Sequence, residues 1–142
     1  MKDMHSNIAL ASLIGNEMLD ADNVPDTVDL SGFKSAEIIL AIGVGGIMFS
    51  GSNKIEFVLT HSNDDVTYEP VADIDMLGVS GIADGIIMAV TEEHAAPANY
   101  RFGYKGNRRY LQLLADFSGT HGAGTPIAAL VVKGNPRAVP QG

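Results

Sequence analysis

The feature that most constrains this chain is a set of short runs in which apolar and polar side chains alternate, each cut off by glycine, proline or a cluster of Asn, Asp and Ser. A period of two sends successive side chains to opposite faces of a strand, whereas a helix needs apolar residues three and four apart. Lys54 to His61 alternates most cleanly, with Ile55, Phe57 and Leu59 on one face and Lys54, Glu56, Val58 and Thr60 on the other. Ala36, Ile38, Leu40 and Ile42 share a face within 36–42, as do Arg109, Leu111, Leu113, Ala115 and Phe117 within 108–117. Tyr100, Phe102 and Tyr104 share one within 99–105, after which Gly106-Asn107 reads as a tight hairpin turn into the 108–117 strand. Further strands are expected at Val71–Met76, Ile86–Val90 and Ile127–Lys133. The last is stopped by Gly134-Asn135-Pro136, because proline cannot donate to a ladder. The expected fold is all-β, an antiparallel β-sandwich or jelly roll of about 7–9 short strands with an N-terminal extended arm.

Residues 7–20 fit either an extended segment or a short helix, and the extended reading is preferred because Ile8, Leu10 and Ile14 suit it. The chain then divides into an arm and first strand at 1–27, a sandwich at 28–137, and a tail at 138–142 with nothing to pack. The arm's apolar residues, Ile8, Leu10, Leu13 and Ile14, are candidates for adding a strand to a neighbour's sheet edge. Ile47, Met48 and Phe49 lie between glycines and read equally as interface anchors or as a buried hairpin tip.

Composition narrows the function classes. The sequence has no cysteine, which excludes disulfides and thiolate chemistry. Its net charge of −8 argues against nucleic acid as a partner, since that affinity comes from Lys and Arg displacing counterions. No apolar run reaches the ~18 residues of a membrane span, so no membrane partner is expected. The charge is unevenly placed: residues 1–75 carry 13 acidic and 3 basic side chains, residues 76–142 carry 4 and 6. Such a division reads first as chance and solubility, and otherwise as a means of steering copies toward one another or toward a larger assembly.

Each constellation that might carry chemistry has a plainer reading. His5, His61, His94 and His121 are scattered without the spacing that brings two ligands to one helix face, so no metal is expected. Ser62-Asn63-Asp64-Asp65 lacks the glycine and distal glutamate of a calcium loop and reads as a turn capped by its own side chains. Gly43-Val44-Gly45-Gly46 has no helix after it to complete a phosphate cradle, and Gly78-Val79-Ser80-Gly81 is one residue short of a nucleophile elbow. Asp116, Ser118 and His121 have the residue types of a hydrolytic triad, but closeness in sequence does not supply its geometry. Asp73 and Asp75 on one strand face read as a wet face, and Tyr100, Phe102 and Tyr104 as core rather than a stacking platform. No catalytic residue and no cofactor is expected.

A series of segments, in order along the chain, resembles a family of small virion proteins that tailed bacteriophages encode among their head genes. The series is Val28-Asp29-Leu30-Ser31-Gly32-Phe33, Phe57 to Asp64, Tyr100 to Gly106 running into Arg109-Tyr110-Leu111, and Gly134-Asn135-Pro136-Arg137. The resemblance implies a β-sandwich structural protein, a capsid decoration or cement protein on the outer surface of the virion's capsid. It further implies that the major capsid protein is the partner and that the chain works as a homo-oligomer, a trimer. A neck or tail component and a carbohydrate-binding sandwich are the alternatives.

Overall fold

A computed structural model describes residues 3–136. Ten strands form two antiparallel sheets packed face to face as a β-sandwich: β1 (Ile8–Leu19), β2 (Val28–Asp29), β3 (Phe33–Ile42), β4 (Lys54–Ser62), β5 (Glu69–Pro70), β6 (Met76–Leu77), β7 (Ile86–Val90), β8 (Ala98–Tyr104), β9 (Tyr110–Ser118) and β10 (Thr125–Pro136). One sheet runs β1-β10-β3-β8-β6; the other runs β2-β9-β4, with β7 and β5 sharing the far edge of β4. Among the described residues the helical elements are two 3-10 turns, His5–Asn7 and Asp73–Asp75. No helix there is long and apolar enough to cross a membrane.

The alternating pattern builds the core. Ile55, Phe57 and Leu59 of β4 and Leu111, Leu113 and Ala115 of β9 point from one sheet toward Ile38, Leu40, Ile127, Ala129 and Val131 of the other, all fully or nearly fully buried. One polar strand face and one apolar face are what a half-buried antiparallel sheet requires, so the register of β4 on β9 keeps both apolar sets on the same side.

The structure differs from the sequence reading in four places. First, residues 8–19 do not project as an arm: β1 pairs with β10 along its length, so the sandwich begins at Ile8 rather than at residue 28. Register shifts on either side of Ile14 break the alternation, and the bulged residue Leu13 turns inward beside Ile14 while Leu10 faces out. Second, β8 and β9 are not a hairpin. They belong to different sheets, and the connection between them crosses from one layer to the other, with neither Gly106 nor Asn107 at positive φ. Each instead completes a long ladder within its own sheet, β8 along β3 and β9 along β4. Third, 71–76 is not one strand. The Asp73 carboxylate accepts the amides of Gly81 and Ile82, and that of Asp75 accepts the Ala72 amide, which winds the segment into a turn between β5 and β6. Fourth, β10 continues through Gly134 and Asn135 to Pro136, which pairs with Phe33 at the end of β3 where a missing N–H costs least. The expected tail, 138–142, lies outside the described residues.

The glycine cluster has a packing reason. A Cβ on Gly46 would lie 2.0 Å from the Gly124 carbonyl oxygen, and Gly124 itself sits at φ +93° against the Leu19 carbonyl. Two backbones therefore meet where the β3–β4 loop passes the start of β10, and the Gly46 amide donates to Thr125 Oγ1.

Phe57→Ala and Leu113→Ala should each lower unfolding free energy by roughly 2–5 kcal/mol, as large-to-small core changes do. Leu13→Ala should fall in the same class, measured by denaturant titration. A Leu13 variant as stable as the parent would mean that β1 is not part of the folding unit.

Candidate functional site

Two regions combine exposure with shape: a cleft at one end of the sandwich and the outward face of the β1-β10-β3-β8 sheet. The cleft, about 400 Å³, opens between the turn at 30–36 and the crossover at 104–109, with Asn63 on its rim. The turn forms because the Asp29 carboxylate accepts the Ser31 amide and Gly32 takes φ +90°, a left-handed geometry that favours glycine. Arg109, the residue before β9, then grips Asp29 at the end of β2 through two parallel bonds of 2.9 Å, Nε to Oδ1 and a terminal nitrogen to Oδ2. This pairing, with the Ser31 amide, holds the Asp29 carboxyl down at about 2. Arg108 bonds Glu69 at 3.0 Å. Both guanidiniums of the cleft are thus already engaged by carboxylates, which leaves Lys34 as its lining cation without an ion pair among the described residues.

At the floor of the cleft Tyr104 crosses the core from β8 to β4, its hydroxyl 2.8 Å from His61 Nδ1. The Arg108 amide donates to the same hydroxyl at 3.2 Å, so the phenol oxygen links the crossover backbone to the His61 ring. Burial pushes the Tyr104 phenol up to about 12 and pushes His61 below 6.5. The pair is a polar link between the sheets; with Nδ1 occupied and the ring 5% exposed, His61 is not presented to a ligand.

The other constellations resolve as structural parts. His121 Nε2 donates to the Ser118 carbonyl rather than to its hydroxyl, and the ring lies edge-on to Phe117, so Asp116, Ser118 and His121 make no triad. His94 bridges the Gly43 carbonyl through Nδ1 and the Tyr100 hydroxyl through Nε2, and is half-buried rather than part of a solvated loop. Ser62 and Asp64 cap their own turn by accepting the amides at 64–67. Among the described residues no group of three or more His, Asp or Glu side chains is placed to hold a metal.

The sequence-derived contact residues separate. Leu13, Ile14 and Phe49 are buried in this chain's own core, with Phe49 packed over Gly45. Ile8 and Ile47 are half-buried, and Leu10 and Met48 are exposed at 64% and 65%. Leu10 belongs to a surface that alternation did not reveal. Registered rows across the outward sheet face read Leu10, Val132, Glu37 and Gly103, then Ser12, Leu130, Ile39 and Arg101, then Ala128, Ala41 and Asn99. Leu77 of β6 extends the first row and is 55% exposed. A shallow depression of about 170 Å³ among Ala41, Gly43, Pro126 and Ala128 continues the face toward the opposite end. The signal for it was present: Ile38 to Ile42 and Ile127 to Val132 are apolar at every position, the mark of strands covered on both faces.

No family model and no curated protein matches the chain. Among solved structures it is similar to the SPBc2 prophage-derived protein YomS, with a TM-score of 0.42 and 10% identity over 88% of this chain and 94% of that one. A likeness of that strength assigns no function.

The shifted groups define a pH profile. A His whose folded pKa lies below its unfolded 6.5 binds its proton more readily when unfolded, so the His61 contribution is full above about pH 6.5 and is lost as pH falls below it. The Asp29 contribution is full above the unfolded 3.8 and is lost as pH falls toward about 2. That of Tyr104 is full below 10.0 and is lost as pH rises toward about 12. Denaturant titrations should show stability declining from pH 7 to 5, with His61→Gln flattening that slope and Asp29→Asn flattening the one between pH 4 and 2. An unchanged slope in either variant would assign that window to another group.

Proposed function

We propose that this chain is a structural protein of a tailed-bacteriophage particle, a decoration protein that sits on the outer surface of the major capsid shell and works as a homo-oligomer. The observation that carries the reading is the apolar outward face of the β1-β10-β3-β8 sheet. Half-buried antiparallel sheets show water a polar face, whereas this one presents Leu10, Val132, Leu130, Ile39, Ala128 and Ala41. Leu10 is exposed and the other five are half-buried, and a contiguous apolar patch that solvent still reaches marks protein contact. The head-gene resemblance supports the phage setting. Its segments fall on the framework that holds the sandwich together: β2 and the turn after it, the inner strand β4, the β8–β9 crossover, and the end of β10. A contact repeated over a symmetric shell gains by multiplicity, so a modest patch on each copy is sufficient.

The test is to mix the purified chain with undecorated shells and to measure occupancy and heat resistance. Binding at a fixed ratio to the shell protein, with the shell surviving higher temperature, is the expected result. Recovery of the chain only with necks or tails, or with no particle component, would remove the capsid assignment.

A further inference from the structure

We propose that the outward face of the β1-β10-β3-β8 sheet is a contact between two copies of this chain, related by a two-fold axis that crosses the strands, with Arg101 of each copy beside Glu37 of the other. The inference rests on the reading of the chain as an assembly protein and names the partner of that face.

Charge selects a second copy. In the three registered rows the charged side chains are Glu37 on β3 and Arg101 on the adjacent β8, and they are offset by one row, since Glu37 pairs with Gly103 and Arg101 with Ile39. Among the described residues neither forms an ion pair, and Arg101 is exposed. An axis running across the strands between those two rows exchanges them. Each Arg101 then comes over the neighbour's Glu37 row, while Leu10 and Val132 come over the neighbour's Ser12 and Leu130. Such a self-complementary arrangement, in which residue i meets j and j meets i, is what a two-fold interface requires. An axis along the strands would instead bring Arg101 over Ser12 of β1 and leave Glu37 over Val132.

Area sets how tight that contact is. Four strands at ~4.8 Å spacing, over the five residues from Ala128 to Val132 that the three rows span at ~3.3 Å, outline roughly 19 by 16 Å, so about 300 Å² per copy. Two copies give about 600 Å², below the about 1,000 Å² of a stable specific interface, so the dimer is weak and reversible and would tighten where a shell holds many copies together. It also yields a two-fold unit in place of the three-fold one that the resemblance implies.

The experiment measures molar mass against concentration by sedimentation for the full chain and for two charge reversals, Glu37→Arg and Arg101→Glu, with far-ultraviolet dichroism and melting confirming that each is folded. Wild type should pass from monomer to dimer with rising concentration. Each variant alone sets like charges against one another at both copies of the contact, and its dissociation constant should rise tenfold or more. An equimolar mixture of the two restores an opposite-charge pair at both positions, so the heterodimer should form where neither variant self-associates. A monomeric wild type, a trimer, or a dimer indifferent to both reversals would overturn the contact. Dimerisation with mixture rescue but no binding to shells would uphold this contact and remove the capsid reading. Shell binding by a chain that stays monomeric would do the reverse.

Discussion

The pairing of β3 with β10 is the contact on which the rest of the sandwich depends. These strands lie at the centre of their sheet, and their ladder runs from Ile42 opposite Ile127 to Phe33 opposite Pro136, joining segments far apart in the chain. β1 and β8 are added to its two sides, and Ile38, Leu40, Ala129 and Val131 form the inner surface against which β4 and β9 pack. A pairing so distant in sequence closes a long loop before it is rewarded, which places this fold among the slower-folding topologies. The same two strands are apolar on both faces, so the element that organises the core also supplies the surface that leads outward from it.

Polar groups reinforce this frame at its margins. The His61–Tyr104 bond ties β4 to β8 across the core, and the Arg108 amide fixes the crossover that follows Tyr104. Asp29 and Arg109 clamp β2 to β9 where the chain changes layers. Asn23 does similar work beside the same strand, accepting the Ala115 amide and donating to the Leu113 carbonyl, so an irregular segment completes the edge that the short β2 leaves open. These bonds join sheet to sheet or loop to edge. His61, His94, His121, Asp64 and Asp73, which stood out in the sequence as chemistry-bearing residues, are engaged in structural bonds.

Much of the architecture was legible because strand alternation is a local property. Phe57, Leu59, Leu111 and Leu113 were readable as core from spacing alone, and Ser62 to Asp65 as a self-capped turn from composition. The inward turn of Leu13 and Ile14 was not, because a bulge inserts a residue without leaving a mark in hydrophobicity. The outward face was legible only in part: the unbroken apolar runs Ile38 to Ile42 and Ile127 to Val132 mark it, but that Leu10 joins it, and which residues share a row, depends on pairings with distant strands.

The sequence by itself determined the class of the fold and most of its strands, since period-two patterning and glycine or proline punctuation act over a few residues. Only the tertiary structure decided which strands share a sheet. Residues 98–118 look like a hairpin locally, yet β8 and β9 lie in opposite layers, because each completes its ladder with a strand distant in sequence, β3 for β8 and β4 for β9. It also decided that Glu37 and Arg101 stand one row apart amid aliphatic side chains. That placement depends on the registers of four strands at once, and no segment of the chain contains it.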